Sequence, residues 1–227
     1  KINILTINGV ENRRRGMLLQ TEDKEKVEIL SKLLNQVDKV TVTALRNPTI
    51  LDRLAIRHGR YIDRETEQGR TFRFVRDELG LLVDFMAELL KSPGHQLIGV
   101  RGMPRVGKTE SIVASSVCAS KRWTFVSSTL LRQTVRNQLA DDEWSEDHVY
   151  IIDGIVSTLR GTERHQMLVR EIMRKEVPKV IEHPDIFVRE TEDSSEDFDC
   201  IIELRSEPNE EITYEAVNTS FSSFDIS

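Results

Sequence analysis

Apolar positions along the chain change texture twice. Ile2, Ile4, Ile7 and Val10 mark a strand, and Met17-Leu18-Leu19 a second one after the turn at Gly16. Val27, Leu30, Leu33, Leu34 and Val37 then recur at helical spacing. Asp38 closes that helix, and Val40, Val42 and Ala44 alternate as a third strand. Residues 1–46 therefore read strand, turn, strand, helix, strand. From Asp77 onward strands and helices alternate regularly. A helix through Leu79, Leu82, Val83, Met86, Leu89 and Leu90 stops near Ser92-Pro93-Gly94. The pattern then predicts strand 96–100, helix 108–121, strand 123–127 and helix 130–140. Strand 149–153, helix 162–175 and strand 179–182 follow, then strands 199–205 and 211–217 joined by a turn at 206–210. Such alternation predicts an α/β domain over 77–227, with a mostly parallel sheet flanked by helices.

The stretch between these two parts is different. Residues 46–76 hold eight arginines against four acids, with few apolar interruptions, and 47–76 reads as an Arg-rich connector with some helix around 51–57. Residues 182–215 have the opposite bias, with thirteen acids against Arg189 and Arg205. Charge complementarity suggests that the two stretches pair. Over all 227 residues, 32 basic and 38 acidic side chains leave a net charge of −6, which argues against a generic binder of nucleic acid or anionic membrane. No apolar run approaches the ~20 residues that span a bilayer. The two cysteines, Cys118 and Cys200, cannot form a disulfide framework. The expected setting is the reducing cytoplasm, with Cys118 buried in its helix.

The sharpest chemical signal is Gly102-Met103-Pro104-Arg105-Val106-Gly107-Lys108-Thr109, which fits G-x-x-x-x-G-K-[ST], follows an apolar strand and opens a helix. Glycines at both ends let backbone N–H groups turn inward as a nest for phosphate oxygens. The helix that starts there adds unpaired N–H groups and a favourable dipole. Lys108 can reach the β- and γ-phosphates, and Thr109 can place its hydroxyl on Mg²⁺. Gly102 through Thr109, with Glu110 beside them, are thus the expected nucleotide-binding residues.

A second signal, Val149-Tyr150-Ile151-Ile152-Asp153, is an apolar strand ending in an acid, the Walker B pattern for the Mg²⁺-side carboxylate. Thr109 and Asp153 are the expected metal residues. Hydrolytic relatives of such loops often place a Glu next to that Asp. Here Gly154-Ile155-Val156 follows, and the loop after the second strand reads Ser127-Ser128-Thr129, so no general base is visible. Arg160 and Arg164, one helical turn apart, are candidates for a lid over the γ-phosphate or for solvated surface.

The loop resembles those of STAND-type and RecA-like ATPases. Phe198 to Arg205 followed by Ile212 to Val217 resembles the paired late strands of that group. Residues 1–46, with Asn8-Gly9-Val10 and Arg14 to Leu19, resemble the last ββαβ of an ACT domain, which implies a partial ACT-like α+β module. With Arg57-His58-Gly59-Arg60, the run from Phe74 to Phe85 and the Gly-Met-Pro-Arg loop, the chain resembles an uncharacterised Bacillus-type family that joins an ACT-like part to a P-loop NTPase part. The function expected is MgATP binding, ATP being favoured because no Asn-Lys-x-Asp guanine reader occurs. A regulatory switch with slow or partner-dependent hydrolysis comes first. A RecA-like motor acting on nucleic acid or protein and a small-molecule kinase are the alternatives. A protein partner or a second copy of the chain is the expected associate.

Overall fold

The computed structural model describes residues 3–8, 15–21, 23–37, 49–58, 62–64, 70–94, 96–126, 144–191 and 197–213. The chain divides into two compact units, Lys1–Ile62 and Asp63–Ser227.

In the first unit, β1 (Asn3–Asn8) and β2 (Arg15–Gln20) pair antiparallel. Helix α1 (Lys24–Leu34) starts where the Asp23 carboxylate accepts the backbone N–H of Lys26 at 3.2 Å. Helix α2 (Ile50–His58) starts on a reciprocal pair: Thr49 N donates to Asp52 Oδ2 at 2.8 Å, and Asp52 N donates to Thr49 Oγ1. The strand expected at 40–44 lies outside the described residues.

The second unit runs β3 (Asp63–Arg64), β4 (Thr71–Val75), α3 (Leu79–Leu90), β5 (Gln96–Arg101), α4 (Lys108–Cys118), β6 (Arg122–Val126) and β7 (His148–Asp153). One π-helical turn (Val156–Arg160), α5 (Glu163–Arg174), β8 (Pro178–Glu182), α6 (Pro184–Glu190) and β9 (Cys200–Arg205) complete it. The sheet order is β3-β4-β9-β5-β8-β7-β6. Only the short β3 is antiparallel; the other six strands are parallel. β5, β7, β8 and β9 are buried almost end to end, because helices cover both sheet faces. Side chains alternate between faces. Leu97, Tyr150, Ile152, Ile181 and Ile201 form one core with Leu168, Val169 and Ile172 of α5 and Phe187 of α6. On the other face Phe72 and Phe74 of β4 pack on Phe85 of α3, and α3 packs on α4.

Four details depart from the sequence pattern. Residues 71–75, inside the Arg-rich stretch, form β4, whose parallel partner is β9. Arg73 Nε meets Glu203 Oε1 at 3.1 Å and Arg70 Nη1 donates to the Phe198 carbonyl, so part of this stretch does pair with the acidic one. Helix α6 was not expected. Residues 211–213 carry no strand, while 214–217 and the expected helix 130–140 lie outside the described residues. Cys118 is exposed rather than buried, since α4 turns Ile112, Ser115 and Ser116 inward and leaves Cys118 on the outer side. Among the described residues no helix is long and apolar enough to cross a membrane.

Candidate functional site

The parallel strands all end on one edge, and residues 102–109 leave β5 there to enter α4. Two glycines shape this connection. A Cβ on Gly102 would lie 2.5 Å from the Leu204 carbonyl oxygen, so only glycine passes β9 so closely. Gly107 has φ +108°, a left-handed conformation at the helix N-cap that a side chain would strain, and open space lies around its Cα. Arg105 also has positive φ, +63°, and points outward with Pro104, whereas Val106 is buried beneath the loop.

Lys108 is buried at the first position of α4. Its ammonium donates to the carbonyls of Gly102 (3.0 Å) and Met103 (2.8 Å), so the loop is clasped around its own cation. Burial lowers its pKa, against the charges of Glu182, Asp153 and Glu110, which raise it. Glu110 itself is exposed on the first turn of α4.

Thr109 Oγ1 donates to Glu182 Oε1 at 2.5 Å. Glu182, the last residue of β8, is buried, and burial raises its pKa. β8 lies between β5 and β7, and in its register Glu182 faces Val100 on one side and Asp153 on the other. Asp153 therefore ends the next strand out, on the same sheet face. Its Oδ1 accepts the backbone N–H groups of Ile155 (2.9 Å) and Val156 (3.1 Å), capping the turn that follows.

Gly154 explains the residue that the sequence pattern lacks. A Cβ there would stand 2.7 Å from the carbonyl oxygens of both Glu182 and His183. A side chain there must displace both carbonyls, so an acid directly after Asp153 is sterically disfavoured. His183 turns the chain from β8 into α6 with φ +57°, and its N–H closes on the Val100 carbonyl at 3.1 Å. Burial, then the neighbouring Lys108 charge, depress the His183 pKa to about 4, which leaves the imidazole neutral at pH 7. His165, wholly buried on α5, has its Nε2 3.2 Å from Ser157 Oγ; its Nδ1 has no hydrogen-bond partner.

The predicted loop residues, Thr109 and Asp153 thus gather at one strand edge. Arg160 and Arg164 are exposed, on the π-helical turn and the first turn of α5. Glu182 and His183 are the site residues that sequence reasoning missed. The available signal was Val180-Ile181-Glu182, a second apolar strand ending in an acid. Chemically, the edge offers inward-facing backbone and one ammonium to an anion, and a hydroxyl with two carboxylates to a hard cation.

Comparison with known proteins adds a family. The chain is 62% identical to the "Uncharacterized protein YmfK" of Bacillus subtilis (strain 168), over 99% of this chain and 86% of that protein. Residues 42–225 match the family described as "Protein of unknown function (DUF3388)". By both measures the chain belongs to that family.

Proposed function

We propose that this chain is an ATP-binding P-loop protein of the cytoplasm, working as a nucleotide-dependent regulatory switch with slow or partner-dependent hydrolysis. The observation that carries the reading is the clasp of the 102–109 loop around Lys108, with the Thr109 hydroxyl held beside it by a buried carboxylate. These groups fit MgATP. The loop backbone and Lys108 suit phosphate oxygens, and Thr109, Glu182 and Asp153 are the oxygen-only donors that Mg²⁺ favours. When bound, the nucleotide supplies the transferable phosphoryl group and Mg²⁺ neutralises charge on it. For phosphates to be contacted, Lys108 exchanges its two carbonyl partners for anionic ones. That exchange is the local change a switch would transmit. The crowding that disfavours an acid at Gly154 supports slow turnover. Residues 1–46 are read as a partial ACT-like module that senses or assembles, with a protein or a second copy of the chain as partner.

Calorimetric titration with ATP, ADP and GTP in Mg²⁺, followed by a phosphate-release assay, tests this reading. Tight ATP binding with negligible release is expected. A charge-assisted contact of about 1.5–3 kcal/mol makes Lys108→Ala about 10- to 100-fold weaker. Fast intrinsic release would replace the switch, and release stimulated by DNA or RNA would favour a motor. Failure to bind any nucleotide would remove the reading.

One observation favours a small-molecule kinase as a second reading. A cavity of about 1060 Å³ opens beside the turn after Asp153, lined by Ser157, Thr158, Arg170 and Arg174 together with the acids Glu190 and Asp197. It is a candidate place for a polar acceptor. ADP formation that depends on a phosphorylated or carboxylated small molecule would promote it.

A further inference from the structure

We propose that Glu182, rather than Asp153, is the carboxylate that meets the cation held at Thr109. The inference rests on the nucleotide reading above and assigns a role within that site.

Three observations carry it. Thr109 Oγ1, the hydroxyl placed to meet a phosphate-bound cation, is hydrogen-bonded to Glu182 Oε1 at 2.5 Å. Asp153 Oδ1 is already committed to two backbone N–H groups of its own turn. The strand order gives the physical reason. β8 adjoins the loop strand β5, while β7 lies one strand further out. A strand spacing of about 4.8 Å separates the two acids laterally, so the nearer strand end presents its carboxylate to α4 first.

A hard cation bound through phosphate oxygens needs only one or two protein carboxylates. Here the inner one comes from β8. Asp153 sets the shape of the following turn and adds negative charge from behind.

The test measures ADP affinity by calorimetry in Mg²⁺ and in EDTA, for the native chain, Glu182→Gln, Asp153→Asn, Glu182→Asp and Lys108→Ala. The ratio of the two affinities is the gain that Mg²⁺ confers, and ADP binding in EDTA reports that the site is folded. Glu182→Gln is expected to cut that gain about 10- to 100-fold. Asp153→Asn should cut it at least tenfold less, and Glu182→Asp should restore part of it. If Asp153→Asn removes the gain and Glu182→Gln keeps it, the assignment is reversed. Equal losses would overturn the division between the two acids. A Glu182→Gln protein that keeps the gain but loses phosphate release would make Glu182 a group acting on water. If the native chain binds no ADP in either condition, and Lys108→Ala looks identical, the nucleotide reading itself has failed and the assignment with it.

Discussion

Lys179 is the most deeply placed cation described in the second unit. It is fully buried on β8, its ammonium donating to the Lys175 carbonyl, and burial lowers its pKa from 10.5 to about 8. The folded chain thus binds fewer protons here than the unfolded chain between pH 8 and 10.5, so stability rises with pH across that window. The shift corresponds to about 3 kcal/mol of destabilisation present below pH 8 and relieved by pH 10.5. Lys179→Met is expected to melt at higher urea than the native chain at pH 7.5, with that advantage shrinking steadily toward pH 10.5. An unchanged advantage would mean that the ammonium is better solvated than its burial implies. Gly154 makes the opposite kind of demand, for space. Gly154→Ala must push aside two backbone carbonyls and should lower stability by about 1–3 kcal/mol in urea titrations. Residues such as Gly102, Lys108 and Thr109 were legible in the sequence because the G-x-x-x-x-G-K-T run is local. Glu182 was not, because it reaches Thr109 only through the register of three strands.

Among the elements, β9 holds the sheet together by charge as well as by its ladder. Its buried Glu203 meets Arg73 of β4 at 3.1 Å, Arg101 of β5 at 3.5 Å, and Arg205 of β9 itself. Arg101 also grips Asp185 of α6 with two bonds of 2.6 and 2.8 Å. Glu203→Gln leaves three partly buried guanidinium groups without their shared carboxylate and is expected to reduce stability by about 2 kcal/mol. Because Arg73 lies on β4, the loss should speed amide exchange in 71–75 before it affects β7 or β8. The same network shows why β4 was hard to read. Phe72 and Phe74 flank Arg73 in a basic stretch, and at 71–75 the Arg-rich connector is a strand with an apolar face backed by a paired charge. The helix α6 escaped for a different reason: seven residues opening on His183-Pro184 give too few turns for a periodic signal. β5 and β7 were plain, since strands covered on both faces are largely apolar.

At the scale of the molecule, the boundary between the compact units falls at Ile62–Asp63, and every strand of the larger sheet comes after it. A chain starting at Asp63 is therefore expected to unfold in one cooperative calorimetric transition and, on the proposed function, to bind nucleotide within about threefold of the full chain. A broad, non-cooperative melt would show that the first 62 residues are needed to complete the larger unit. Gly154 also couples two strand ends. The path of β8 into His183 sets how much room the residue after Asp153 has, so a bulkier residue at 154 is tolerated only together with a shift of the 182–183 backbone. On the proposed function, a change in turnover made at that position therefore needs two changes in the chain rather than one.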